Sequence, residues 1–195
     1  MTTVAGLATR QRLLAAAREL IEEGGYGSAS VAAISERAGV AAGTLYRHFP
    51  SKEELFLEVF RDVCAGEERA MRAAAEDAGA SAVDRLEAVL TTFARRALQN
   101  RSLAWALLAE PVDPVVDAER LAYRERYASL IAAELTAAVA VGEIPAQDVA
   151  FTAAALVGGC GEALVGPLSS VDGSDQVVVA SIQTFARRAI GAGSR

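Results

Sequence analysis

The stretch Gly43-Thr44-Leu45-Tyr46-Arg47-His48-Phe49-Pro50-Ser51-Lys52 decides the fold. It follows a short amphipathic run that ends at Ala38-Gly39-Val40. A short helix, a glycine turn, a second short helix and a proline-marked start of a third together read as a helix-turn-helix. Leu45 and Phe49 stand four residues apart and supply the buried pair of the second short helix. The positions around them carry hydroxyls, an imidazole, a guanidinium and an ammonium. A helix built only to fold would not need that composition.

Upstream, Leu13, Leu14, Ala17, Leu20 and Ile21 repeat at helical spacing and predict a helix from about Thr9 to Glu23. Gly24-Gly25 ends it, because glycine accepts the left-handed turn at a helix terminus. Ser30 is placed to cap a helix over Val31 to Ala38, Gly39 makes the sharp turn, and a third helix covers Ala42 to Phe49. Pro50 cannot continue it. Ser51 and Glu54 form a capping box for a fourth helix, Lys52 to about Ala75, whose apolar face holds Leu55, Phe56, Val59, Phe60 and Val63.

Downstream of Ala78-Gly79-Ala80-Ser81 the texture changes to long helices rich in alanine and leucine. They are expected over Ser81 to Gln99, Leu103 to Ala109, Pro114 to about Val141, Ala146 to Leu164 and Asp175 to Ile190, with Pro167 to Ser174 as a loop. No strand pattern competes with them. The expected fold is all-α with about nine helices: a helix-turn-helix head over residues 1–55 and a larger helical body over 56–195.

Bulk properties narrow the function. A hydrophobic fraction of 52% excludes a disordered chain. Met1 to Arg12 has no apolar core of signal-peptide length. The longest apolar stretch, Val149 to Val165, is interrupted by Glu162, so no membrane span is expected. Cys64 and Cys160 lie far apart in no metal-like spacing, which points to a reduced cytoplasmic setting and to no metal or cofactor. The net charge of −6 first argues against a nucleic-acid partner. Residues 1–52, however, hold six basic and four acidic groups, a net of +2, which leaves −8 for the rest. The acidic character belongs to the body.

Catalysis has no support in the residues. The single histidine, His48, lies in the quoted stretch, and there is no His/Cys/Asp cluster, no Gly-rich phosphate loop after a strand and no nucleophile elbow. DNA binding does have support. Thr44 and Tyr46 present hydroxyls on the exposed face of the third helix, and His48 follows near its end. Lys52 stands where a helix N-terminus and an ammonium together suit a phosphate. Gly43 removes a side chain where DNA could approach, and Arg47 is the long donor able to reach a guanine edge or a phosphate. Ser30, opening the preceding helix, joins Ala42, Gly43, Thr44, Tyr46, Arg47, His48 and Lys52 as candidate DNA contacts. Arg10 or Arg12 could add a phosphate contact. A helical adaptor with no DNA partner is the competing reading.

Residues 9–60 resemble the DNA-binding head of the TetR family of bacterial transcriptional regulators. The resemblance is carried by Leu20 to Gly27, by Val31-Ala32-Ala33-Ile34-Ser35-Glu36-Arg37-Ala38-Gly39-Val40, and by Gly43 to Lys52 running into Leu55. It implies that Thr44, Tyr46, His48 and Lys52 mostly grip the DNA backbone, leaving Ala42, Gly43, Tyr46 and Arg47 for base or groove contacts. One departure is Ala41-Ala42, where many family members have Ser or Thr; it removes a side-chain cap worth about 1 kcal/mol.

The resemblance further implies a body that binds a small ligand and dimerises through its last two long helices. Repression is the family's commoner mode and activation the alternative. Ligand would shift the fourth helix, change the spacing of two heads on a near-palindromic operator and weaken binding. Phe93, Trp105, Leu108, Tyr123, Tyr127 and Phe151 are the candidate ligand contacts, with Trp105 and Tyr127 foremost. The same residues would equally serve to fill a core. Arg120, Arg124 or Glu162 could give a polar anchor. Gly158-Gly159, Gly161 and Ala163 would permit close helix approach in a dimer, or mark a kink. Leu156, Val157, Leu164, Val178, Ile182, Phe185 and Ile190 would supply the interface's apolar area.

Overall fold

The computed structural model describes residues 4–169 and 174–192, and among them the regular structure is entirely helical. In chain order the helices are α1 (Val4–Ser28), α2 (Val31–Arg37), α3 (Ala42–His48), α4 (Lys52–Asp77), α5 (Ala82–Gln99), α6 (Arg101–Leu108), α7 (Pro114–Ala140), α8 (Val149–Ser169) and α9 (Asp175–Ala189). The all-α expectation and the order of its elements hold. Of the expected loop from Pro167 to Ser174, residues 170–173 lie outside the described residues.

The punctuation read from sequence acts where it was expected. The helix of α1 breaks at Gly24 and Gly25, the latter at φ 77, and Ser28 Oγ donates to the carbonyls of Leu20 and Gly25 at 2.6 and 2.7 Å. Ser30 caps α2 by accepting the Ala33 N–H at 3.1 Å. Gly39, at φ 65, closes α2: its N–H reaches Glu36 O, and the Val40 N–H reaches Ser35 O at 2.9 Å. Ala41 opens α3 with no side-chain cap. Ser51 accepts the Glu54 N–H at 3.2 Å, so α4 starts on its cap with Glu53 and Glu54 in its first turn.

α1 starts at Val4 rather than about Thr9, and three further boundaries differ from expectation, each of these for a local reason. α6 begins at Arg101 rather than Leu103 because Asn100 caps it, accepting the Leu103 N–H. α8 begins at Val149 rather than Ala146 because Asp148 Oδ1 accepts the Phe151 N–H at 3.0 Å. At its far end α8 runs through Pro167 to Ser169 instead of stopping near Leu164. A helix-interior proline costs roughly 3 kcal/mol. Leu168, buried four residues beyond Leu164, offsets about 1.5–3 kcal/mol of that.

The chain forms two compact units. One takes the described part of Met1–Val63 together with Asn100–Arg120. In it α6 packs along α1, α2 packs on α1 and α3, and Leu13, Ile21, Ile34, Leu45, Phe49, Leu55 and Phe56 are buried. The other takes Cys64–Gln99 with the described part of Leu121–Arg195. There α5, α8 and α9 pack on one another, with Leu86, Leu135, Leu156, Leu164, Ile182 and Ala186 buried. Arg187 pairs with Glu87 at 2.6 Å and Arg85 with Glu134 at 2.8 Å, tying α9 and α7 to α5.

Candidate nucleic-acid interface

Helix α3 is seven residues long, and Leu45 is its buried residue. Leu45 and Phe49 are 0% and 1% exposed, which fixes the rotation of the helix. Everything else the motif carries is thereby turned outward: Ala42, Gly43, Tyr46 and Arg47 are exposed, while Thr44 and His48 are half-buried. Tyr46 is 56% exposed. An apolar ring left in water is unfavourable by the same measure that favours burying Phe49, so the fold gives Tyr46 no reason to be aromatic.

Two details prepare this face for a ligand. Arg47 Nη2 donates to Thr44 Oγ1 at 2.9 Å, one turn back, which holds the guanidinium along the helix surface rather than free in water. A Cβ built on Gly43 would meet nothing within 4 Å. The glycine is therefore not needed to relieve crowding inside the chain, and its missing side chain leaves room for an approaching surface.

Lys52 sits at the first residue of α4, and its surroundings are more elaborate than sequence could indicate. Its Nζ lies 3.9 Å from the centre of the Tyr26 ring and donates to the Tyr26 carbonyl at 3.3 Å. The Tyr26 ring in turn meets Phe56 edge-on, centroids 4.3 Å apart. Partial burial pushes the Lys52 ammonium below the ordinary lysine range, with Glu53 and Glu110 opposing that shift.

The arginines of the head divide into two sets. Arg10 donates to Glu58 and lies over the Phe49 ring at 4.7 Å; Arg18 bonds Glu22 and Asp62; Arg37 bonds Glu23 at 2.8 Å and Glu19 at 3.3 Å. The Arg37 hydrogen bond holds the Glu23 carboxyl below its usual value. Arg12 and Arg47 instead donate to threonine hydroxyls, at 3.4 Å (Thr9) and 2.9 Å (Thr44), and stay exposed. Of the two N-terminal arginines expected to reach phosphate, Arg12 is the one that carries its charge into solvent. Ser30 is exposed, but its hydroxyl already serves the α2 cap.

Of the six candidate ligand contacts, three form one aromatic cluster. Phe93, Tyr123 and Tyr127 come together: the Phe93–Tyr127 and Tyr123–Tyr127 centroid distances are both 6.0 Å. Tyr127 Oη donates to the Cys64 carbonyl at 3.3 Å, and burial raises its phenol well above the usual range. Trp105 and Leu108 are on α6 and belong to the other compact unit. Phe151 is 72% exposed on α8. Arg120 is occupied by the carbonyls of Ala106, Leu107 and Glu110, so it is a structural clamp rather than a waiting anchor. Glu110 was not foreseen: its carboxylate accepts the N–H groups of Tyr26 and Gly27 at 2.7 and 3.1 Å.

Residues 13–59 match the family described as bacterial regulatory proteins, tetR family, and residues 79–164 match the tetracyclin repressor-like C-terminal domain. The Escherichia coli HTH-type transcriptional regulator UidR is 31% identical over 186 residues, covering 94% of this chain and 91% of UidR. The Mycobacterium tuberculosis HTH-type transcriptional repressor KstR is 32% identical over 140 residues, 71% of this chain and 61% of KstR. In fold, FadR from Bacillus subtilis, solved in complex with stearoyl-CoA, superposes with a TM-score of 0.77 at 23% identity, covering 94% of this chain and 99% of that one. The exposed α3 motif, the matched head and body and the near full-length likeness to UidR agree: this chain belongs to the TetR family of bacterial transcriptional regulators and is a DNA-binding regulator, not an enzyme.

Proposed function

We propose that the chain is a cytoplasmic repressor that binds a near-palindromic operator as a homodimer and is released by a small, largely apolar or aromatic effector. Residues 1–55 read DNA, and residues 56–195 dimerise and bind the effector. The observation that carries the reading is the outward face of α3, where Tyr46, Arg47 and Gly43 have no work to do inside the fold. Arg47, Tyr46, Gly43 and Ala42 face bases or groove; Thr44, His48, Lys52 and Arg12 grip phosphates, with Ser30 beside them.

The dimer rests on α8 and α9. By length and composition α8 is apolar enough to cross a membrane, yet only 22% of its most apolar window is buried within the chain. Its Glu162 and the match of residues 79–164 to the C-terminal domain support a place in the helical body instead. Gly159 admits Phe185 of α9, whose ring atoms lie 3.3 Å from where a Cβ would stand. Gly158, Gly161 and Gly166 have open space beside them, so their smallness is left for something outside the chain. Phe151 and Val177 are 72% and 63% exposed, and an open groove of about 720 Å³ runs along Val177, Ser181, Phe185 and Arg188. A helix apolar on most sides with one buried stripe needs a second apolar partner. A second copy supplies it symmetrically.

The effector site is drawn from Phe93, Tyr123 and Tyr127, with Trp105, Leu108 and Phe151 as further candidates. Because repression is relieved only by a ligand that prefers the non-binding state, effector and operator must weaken each other reciprocally. The test is an operator duplex enriched by this protein from a random-sequence pool, titrated by fluorescence anisotropy with and without long-chain acyl-CoA, the ligand class of the Bacillus subtilis FadR complex. Release of DNA supports the reading. An effector that binds tightly and leaves operator affinity unchanged would falsify the derepression model.

A further inference from the structure

Between α6 and the start of α4 the first compact unit contains a continuous chain of polar contacts that DNA binding by α3 does not require. It begins at Arg120 of α7. The guanidinium donates to Leu107 O at 2.8 Å, to Ala106 O and Glu110 O at 2.7 Å each, and to Asp117 Oδ1 at 2.8 Å. The carbonyls near a helix C-terminus have no partner in the helix, so a single arginine here closes the end of α6. Glu110, which follows α6, then turns both carboxylate oxygens onto α1, accepting from Tyr26 N–H at 2.7 Å and Gly27 N–H at 3.1 Å. Those two N–H groups follow the Gly24-Gly25 break, where the α1 ladder is interrupted. The fit is close: a Cβ on Gly25 would stand 2.9 Å from Glu110 Oε2.

The chain ends at Lys52. Tyr26, fixed through its own N–H by Glu110, presents its carbonyl and its ring to the Lys52 ammonium. The links run from 2.7 to 3.3 Å, and each uses a charged group, which makes hydrogen bonds stronger than neutral ones. All of them lie in one compact unit, and α7 continues beyond Arg120 into the other.

We propose that Glu110 is a positioning residue for DNA binding: with Arg120 behind it, it fixes Tyr26 so that Lys52 is held at the start of α4 for a phosphate, and movement of α7 at Arg120 reaches the DNA face by this route. The proposal rests on the reading of Lys52 as a phosphate contact. It assigns to Glu110 a role in affinity and in its control that a simple cap would not have.

The salt dependence of operator binding separates the two. One lost phosphate contact lowers the slope of log K against log salt by about 0.9, which reduces the affinity lost between 50 and 200 mM salt by about 3-fold. The experiment compares wild type, Lys52→Ala, Glu110→Gln and the double variant on the enriched duplex, with thermal melting alongside. Glutamine keeps the shape but turns an NH2 toward one of the two N–H groups. Expected are a slope reduced by about 1.8 in Lys52→Ala, one contact from each protomer of the proposed dimer, the same reduction in Glu110→Gln, and no further reduction in the double variant. A Glu110→Gln protein that melts lower but keeps the wild-type slope overturns the proposal, because Glu110 is then only a cap. A wild-type slope in Lys52→Ala removes the phosphate reading, and the proposal falls with it for a distinguishable reason. Should Glu110→Gln not fold, Arg120→Lys serves: it keeps the charge but cannot span three carbonyls. A reduced slope there supports the route from α7, and a wild-type slope and affinity overturn it.

Discussion

Helices α3 and α8 are both poorly buried, and for opposite reasons. α3 buries Leu45 and leaves tyrosine, arginine, glycine and alanine outside. α8 buries Ala153, Leu156, Cys160, Leu164 and Leu168 and leaves phenylalanine, alanine and glycine outside. A polar face that the fold does not use fits a polyanion, whose grip is electrostatic and whose details are hydrogen bonds. An apolar face that the fold does not use fits another apolar face. On the proposed reading, the contrast divides DNA reading from dimerisation by the chemistry of what each helix leaves uncovered.

The most severe way to break the comparison is to remove what orients α3. Leu45→Ala empties a fully buried position and should destabilise the head by about 2–5 kcal/mol, read as a lower urea midpoint. If the midpoint moves by less than the cost of a surface change, Leu45 does not set the face that α3 presents. The next cut is on α8. Phe151→Glu changes an exposed residue, so protomer stability should stay within about 0.5 kcal/mol of wild type. The dimer should nevertheless dissociate in sedimentation, and operator affinity should fall about 100-fold, or roughly 2.7 kcal/mol. A Phe151→Glu protein that stays dimeric places the interface elsewhere.

Tyr46→Ala sharpens the same contrast on a smaller scale. It should leave the urea midpoint and the dimer unchanged while operator affinity drops about tenfold, or roughly 1.4 kcal/mol. Loss of stability without loss of affinity would return Tyr46 to a structural role, and an adaptor protein would show neither effect.

The head and the body differ in how much of each is legible in the sequence. The head was legible because its boundaries are written in residues with few alternatives: Gly25 and Gly39 at positive φ, Ser30 and Ser51 as caps. Its candidate site was legible because Tyr46 and Arg47 are residues that a solvent-facing helix does not need. The body gave no such signal. Phe93, Tyr123 and Tyr127 meet, while Trp105 and Leu108 pack in the other unit, and nothing in an aromatic residue's identity distinguishes those fates. Pro167 marked a stop that the burial of Leu168 overrode. Glu110 was invisible for a different reason: it meets Tyr26 across 84 residues of chain, and helical periodicity reports only near neighbours.

The smallest effect concerns the aromatic cluster of Phe93, Tyr123 and Tyr127. Tyr127→Phe keeps the ring and deletes the hydroxyl that donates to Cys64 O, which should cost about 1 kcal/mol near neutral pH. Burial raises the folded-state pKa of this phenol above its unfolded value near 10. The folded state therefore holds its proton after the unfolded state has released it. The contribution is fully present below about pH 10 and is lost as pH rises beyond it. Wild type should thus lose its advantage over Tyr127→Phe in urea titrations carried from neutral to alkaline pH. A constant difference between the two proteins would mean that the hydroxyl is already in water. An effector that contacts Tyr127 would then meet a hydrated group instead of displacing a buried bond.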